Sequence, residues 1–314
     1  MKSYNIAILK YPSVLKSAVF GLQEMFLLTN EIAKNLDVQV HISTETFAHD
    51  NLPKSADRHT AVIVPPSLGD TYHSHEDKAV TAWLQNCKQQ GALLSSACAG
   101  SFLLGHAGVL RHRPATTHWA LAEKFTETFP DTNLDIDKIL INDGDILTAG
   151  GLMSWQDLGL ELVSQLTSPQ VMRVLGKWLL IDTGQREQRY YDSFRPQRNH
   201  GDEVILAVQD YLQQEYHKAI QINQLYDQYA IGSRTFLRRF TKATGLKPNE
   251  YLQRLRIQKA CDSLESSPTT VETIAHKVGY EDVNAFRKTF IKITGLTPKE
   301  FRNRFSKKLE TEND

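Results

Sequence analysis

Three cysteines in 314 residues (Cys87, Cys98 and Cys261) are too few for a disulfide framework and fit a reducing compartment. No apolar run approaches the roughly 20 residues that span a bilayer, so no membrane association is expected. Met1 to Asn5 leads straight into a strand pattern without the apolar region of a signal peptide, and the expected location is the cytoplasm. Net charge is missing too. Because 36 Lys+Arg balance 36 Asp+Glu, any affinity for nucleic acid has to come from a local concentration of one sign. Metal-ligand spacing is also lacking. His73-x-His75-Glu76 has no fourth ligand at credible spacing. Asp131, Asp135, Asp137, Asp143 and Asp145 do not follow a calcium loop and read as solvated. No metal and no cofactor is expected.

What is present is a repeat. Residues 236 to 254 and 286 to 304 share nine identities at a fixed offset of fifty: Phe236/Phe286, Phe240/Phe290, Lys242/Lys292, Thr244/Thr294, Gly245/Gly295, Leu246/Leu296, Pro248/Pro298, Glu250/Glu300 and Arg254/Arg304. Average composition gives roughly one identity in such a window. Two copies make a duplicated module, not a solenoid.

A short amphipathic helix precedes each copy. In the second, Thr269 and Glu272 have capping-box spacing, and Val271, Ile274, Ala275 and Val278 fall on one helical face. Gly279 stands where a left-handed cap is wanted, and a further helix is predicted from about Asp282 to Ile293, anchored by Phe286 and Phe290. Two short helices around a tight turn make a helix-turn-helix. The first copy repeats the plan, with Ile222, Leu225, Tyr226 and Tyr229 as the buried face and 233 to 243 as the second helix. A helix from Pro248 to about Leu264 joins the two copies. From Ser233 to Leu309 there are 17 Lys+Arg against 7 Asp+Glu, in a chain that is neutral as a whole. That basic surplus on the second helices is the electrostatic footprint of DNA binding.

Residues 201 to 305 resemble the DNA-binding domain of the AraC/XylS family of bacterial transcription regulators, through Val278-Gly279-Tyr280, Phe286, Phe290, Gly295, Pro298 and Phe301. The resemblance implies that Arg234, Leu237 and Arg238 face base edges from the first module, and Val283, Asn284 and Lys288 from the second. Arg238 suits guanine and Asn284 adenine, while Arg239, Lys242, Arg287 and Lys292 are assigned to phosphates. Two positions depart from the family pattern: Tyr226 replaces a small residue, and Gly232 replaces a Ser-type cap.

Residues 1 to about 182 alternate strand and helix patterns, which predicts an α/β three-layer sandwich around a mostly parallel, flavodoxin-like sheet. Helices are expected over Val19 to Lys34, His75 to Gln90, Met153 to Leu166 and Gln170 to Leu180, with a hairpin turn at Asp143-Gly144. In Ala97-Cys98-Ala99-Gly100-Ser101 a buried-type strand runs directly into a helix, the pattern of a nucleophile elbow. A cysteine at a helix start is expected to lean towards thiolate. The segment Ala97 to Leu110, Thr116-Thr117-His118-Trp119 and Thr148-Ala149-Gly150-Gly151 with Asp157-Leu158 resemble the class I glutamine amidotransferase-like, PfpI-type domain. This resemblance makes Cys98 and His118 the site pair, with Ala99 and Trp155 as further pocket residues.

Catalytic relatives carry a carboxylate just after the first strand. Here Pro12 to Ala18 holds no acid, and Glu24 lies further along the helix. The expected protein is therefore a non-enzymatic, sequence-specific regulator. Its organisation reads as a sensing and dimerising domain (1–184), a linker (185–201) and a double helix-turn-helix domain (202–309). The expected partners are operator DNA, a small-molecule effector, a second copy of the chain and RNA polymerase. An active thiol hydrolase with secondary DNA binding, and a constitutive regulator whose first domain only dimerises, are the alternatives.

Overall fold

The computed structural model describes residues 1–53, 59–69, 71–183, 187–191, 194 and 196–306. Of the stretch expected as a linker, residues 185, 186, 192, 193 and 195 lie outside the described residues, as do 307–309 at the end of the expected DNA-binding domain. The chain forms two compact units, Met1–Gln188 and Arg189–Asp314.

In the first unit the elements run β1 (Lys2–Lys10), α1 (Lys16–Asn35), β2 (Val40–Ala48), β3 (Ala61–Val64), α2 (Lys78–Gln89), β4 (Leu93–Ala97), α3 (Gly100–His106), β5 (Pro114–Ala115), α4 (Ala122–Thr128), β6 (Asn133–Leu134), β7 (Leu140–Asn142), β8 (Ile146–Ala149), α5 (Trp155–Leu166) and α6 (Pro169–Leu179). The main sheet has the order β2-β1-β3-β4-β8-β7. Every pairing in it is parallel except the β7–β8 hairpin. Strand β1 shows why both faces are covered. Ile6 and Ile8 point into a core shared with Leu22 and Phe26 of α1 and Leu158 of α5. Ala7 and Leu9 point into the opposite core, with Trp83 of α2 and Phe102 of α3. A strand buried on both faces reads as a continuous apolar run, as Ile6-Ala7-Ile8-Leu9 does. The three-layer α/β architecture is the expected one.

Some local expectations need correction. Helix α2 begins at Lys78 and not at His75, because the Asp77 carboxylate caps it by accepting from the Ala79 and Val80 amides at 3.0 and 3.2 Å. The acids read as solvated are in part ion-paired. Arg113 holds Asp143 at 2.5 Å and Asp145 at 2.6 Å, and Arg111 meets Asp131 at 3.2 Å.

The second unit is helical: α7 (Glu203–Glu215), α8 (Ile222–Gln228), α9 (Ser233–Thr244), α10 (Pro248–Ser266), α11 (Val271–Lys277), α12 (Val283–Thr294) and α13 (Pro298–Phe305). The duplication survives in three dimensions. Phe236 and Phe240 of α9 are fully buried in one core with Leu225 and Tyr251, and Phe286 and Phe290 of α12 in another with Ile274 and Phe301. Both α9 and α12 end on left-handed glycines, Gly245 and Gly295. Their starts differ. Asp282 caps α12, whereas Gly232 offers α9 no side-chain cap. The cap of α11 is Thr270, not Thr269, and Glu272 does not close a box. The capping box lies at Thr297 and Glu300, opening α13. Among the described residues no helix is long and apolar enough to cross a membrane.

Candidate effector site and nucleic-acid interface

The elbow forms where β4 ends. Cys98 has φ of 54°, a left-handed conformation that a non-glycine residue holds only when its surroundings enforce it. The Cys98 amide donates to Ala149 O at 2.7 Å. The Cys98 carbonyl accepts from the hydroxyls of Ser101 and Thr117, both at 2.9 Å. Gly100 lets the helix start close to the neighbouring strand, since a Cβ there would stand 2.5 Å from Val64 O. These contacts fix the Cys98 side chain beyond the carboxyl ends of the parallel strands, where ligands of open α/β sheets bind.

The thiol is not activated. Cys98 and Ala99 are buried, and burial pushes the Cys98 pKa up to about 11 despite help from the Ala99 amide. Desolvation is the largest influence on the thiol and runs against the lean towards thiolate expected at a helix start. Burial also lowers the pKa of His118, whose Nδ1 accepts from the Ala120 amide at 3.0 Å. That bond assigns the ring proton to Nε2 in the neutral form. Among the described residues no hydrogen bond joins Cys98 to His118. Ala18 is fully buried in the first turn of α1, and Glu24 is exposed on the same helix. Trp155 opens α5 and is buried in the core with its ring against Gly21.

Residues absent from the sequence reading lead away from the elbow through Tyr11. Tyr11, just past β1, is buried, donates its hydroxyl to Pro65 O and lies within electrostatic reach of Cys98. Burial, above all, raises its pKa. Its ring stacks on Tyr72 at 5.4 Å, and Tyr72 donates to Asp77 at 2.7 Å. Burial alone would raise the Asp77 pKa, but hydrogen bonds from Tyr72, the Val80 amide, His49 and the Ala79 amide outweigh it and bring the carboxyl below its usual range. A tyrosine at the end of a buried strand was the one available signal. Among the described residues no cluster of three His, Cys, Asp or Glu is arranged to hold a metal.

In the second unit, Arg234, Leu237, Arg238 and Lys242 are exposed on α9, and Asn284, Lys288 and Lys292 on α12. Three expected contacts are differently engaged. The Arg239 fork donates to both carboxylate oxygens of Asp202, at 2.8 and 2.6 Å, so it buttresses the cap of α7. Arg287 is paired with Glu272 of α11 at 2.5 Å. Val283 is half-buried against the second module's core.

Comparison with known proteins assigns both units. A helix-turn-helix domain model matches residues 225–304, and the DJ-1/PfpI family model matches residues 30–165. The HTH-type transcriptional activator RhaS of Pectobacterium atrosepticum is 34% identical over 99 residues, 32% of this chain and 36% of that protein. The chain thus spans about a third of that relative's length. Two regulators match further. HTH-type transcriptional regulator GlxA of Rhizobium meliloti is 24% identical over 243 residues, 76% of this chain and 72% of that protein. HTH-type transcriptional regulator CdhR of Pseudomonas aeruginosa is 23% identical over 225 residues, 71% of this chain and 67% of that protein.

Proposed function

From a chain that belongs to the AraC-type helix-turn-helix regulators carrying a DJ-1/PfpI domain, we infer a sequence-specific DNA-binding transcriptional regulator. The observation that carries this reading is the duplicated exposed face. Arg234 and Arg238 on α9 and Asn284 and Lys288 on α12 occupy equivalent positions on two helices whose opposite faces anchor two separate cores. Each helix enters a major groove, with Arg238 and Asn284 reading bases and Lys242 and Lys292 neutralising phosphates. The two grooves lie about 34 Å apart on one DNA face.

The first unit senses a small molecule at the elbow. A protonated Cys98 and a neutral His118 support recognition by shape and hydrogen bonding over hydrolysis, which needs a thiolate and an orienting acid. Phe20 and Leu27, one heptad apart and both largely exposed on α1, support a second copy of the chain as partner. The protein acts in the cytoplasm, where its DNA is.

The test is binding of the purified protein to the DNA upstream of its own gene, titrated against salt, for wild type and the double variant R238A/N284A. Specific binding that the double variant loses, with most of the salt slope kept, supports the reading. Equal binding of both proteins to any DNA overturns it.

A further inference from the structure

The first unit ends on a residue that is buried when an ordinary linker residue would be solvated. Gln188 is 4% exposed. Its amide nitrogen lies 3.0 Å from the Thr116 hydroxyl, 2.9 Å from Thr117 O and 2.8 Å from Lys138 O. Two N–H groups facing two carbonyl oxygens and a hydroxyl fix the orientation of the amide. Its backbone is anchored as well, Gln188 N donating to Asp137 O at 2.8 Å. Room for the side chain exists only because residue 150 is glycine, since a Cβ there would come within 1.8 Å of Gln188 Nε2.

One residue links this anchor to the elbow. Thr117 accepts from Gln188 through its carbonyl and donates through its hydroxyl to the Cys98 carbonyl. Thr117 is also the immediate neighbour of His118. A ligand that moves the Cys98 turn therefore acts on the residue that supplies one of the three oxygens holding Gln188. The docked state is incompletely satisfied, because Gln188 Oε1 is buried with no hydrogen-bond partner among the described residues. An unmatched buried acceptor destabilises that state relative to a solvated one, which suits a contact that must open. The next residue along the chain, Arg189, already belongs to the second unit.

We propose that Gln188 is a latch by which the state of the elbow and the state of the chain leading to the DNA-binding unit change together. This rests on the sensing reading above and supplies its regulation. Docked, the latch holds Thr116 and Thr117 in place; released, it frees the elbow and the end of the first unit at Gln188 at once.

The test uses the full chain and iodoacetamide as probe, following alkylation of Cys98 by peptide mass, with buried Cys87 of α2 as the internal control. Hydrogen exchange of the 187–191 segment is read on the same samples. In Q188E, which keeps the shape but replaces donors with acceptors, Cys98 alkylation and exchange at 187–191 both rise about tenfold, the worth of roughly one net hydrogen bond, while Cys87 is unchanged. T116V, which removes the hydroxyl that accepts from Gln188 and donates to Lys138 O, shifts both in the same direction and serves if Q188E does not fold. In wild type, alkylated Cys98 speeds exchange at 187–191, and in Q188E it adds nothing further. Cys98 and Cys87 rising together, or an exchange rate at 187–191 indifferent to alkylation in wild type, overturns the latch. Affinity for the upstream DNA separates the two ideas. Affinity that still responds to Cys98 alkylation, with exchange uncoupled, overturns the latch and keeps the sensing reading. Coupled exchange with unresponsive DNA affinity keeps the latch and overturns the sensing reading.

Discussion

Arg239 and Asp202 form a two-pronged pair, Nε to Oδ2 at 2.8 Å and Nη2 to Oδ1 at 2.6 Å, while Asp202 also caps α7 by accepting from the Ile205 amide. The pair holds the Asp202 carboxyl below its ordinary range, through the hydrogen bond from Arg239 first. D202A removes the cap and the partner together and should cost the second unit about 1–2 kcal/mol, most of it from the cap because the pair is partly solvated. Urea denaturation measures it. R239A should leave the salt slope of DNA binding unchanged, whereas K242A lowers it by about one.

Glu272 competes for Arg287. Their pair joins α11 to α12 at 2.5 Å with both side chains about half exposed, so it adds little to stability. In E272A the guanidinium is released towards DNA. The salt slope should steepen by about one, and affinity should rise several-fold at low salt. An unchanged slope would show that Arg287 does not reach phosphate.

Cys98 should show the chemistry of a buried thiol. Its alkylation rate should climb with pH through an inflection near 11, well above the ~8.5 of a free cysteine. The sign of the stability effect follows. An acid whose folded pKa is raised contributes stability that is complete below its unfolded value and is lost as pH rises towards the folded one. Stability should therefore decline between about pH 8.5 and 11, and C98A should flatten part of that decline. An inflection at or below 8.5 would restore the thiolate and the hydrolase reading with it.

Each helix-turn-helix has its own core. Phe236 and Phe286 are both fully buried. F236A and F286A should each cost about 3–5 kcal/mol, exposing first the module that carries the change. Hydrogen exchange resolved by segment separates them. Uniform loss of protection across 203–305 in either variant would mean one cooperative unit instead of two.

The second unit was the more legible from sequence because its duplication is written in residues that must be what they are. Phenylalanines at equivalent core positions, glycines at left-handed caps and prolines at helix starts leave little choice of alternative. The alternation of the first unit was equally plain, since residues 6–9 of β1 and all of β3 are buried on both faces and read as unbroken apolar runs. Side-chain commitments were not visible. Arg239 and Arg287 look like free cations until the fold supplies Asp202 and Glu272, which are 37 and 15 residues distant. Helix-start electrostatics favoured a thiolate at Cys98, but desolvation, which no local pattern reports, pushes the other way. Tyr11, Tyr72 and Gln188 were missed for the same reason. Tyr11 nears Cys98, Tyr72 stacks on Tyr11 and Gln188 bonds to Thr117, all from segments far apart in the chain, and nothing in their spacing announces it.

Helix α10 supplies side chains to both helical cores, Tyr251, Leu252 and Leu255 to one and Ile257, Ala260, Cys261 and Leu264 to the other. Its length therefore works as a gear between two reading heads. One residue added near its middle would advance the second head by only about 1.5 Å but turn it through about 100°. The two recognition faces would then no longer share a side of the duplex. Only insertions close to whole turns would keep them in phase, so the spacing between the two recognition faces is set in the residue count of one helix.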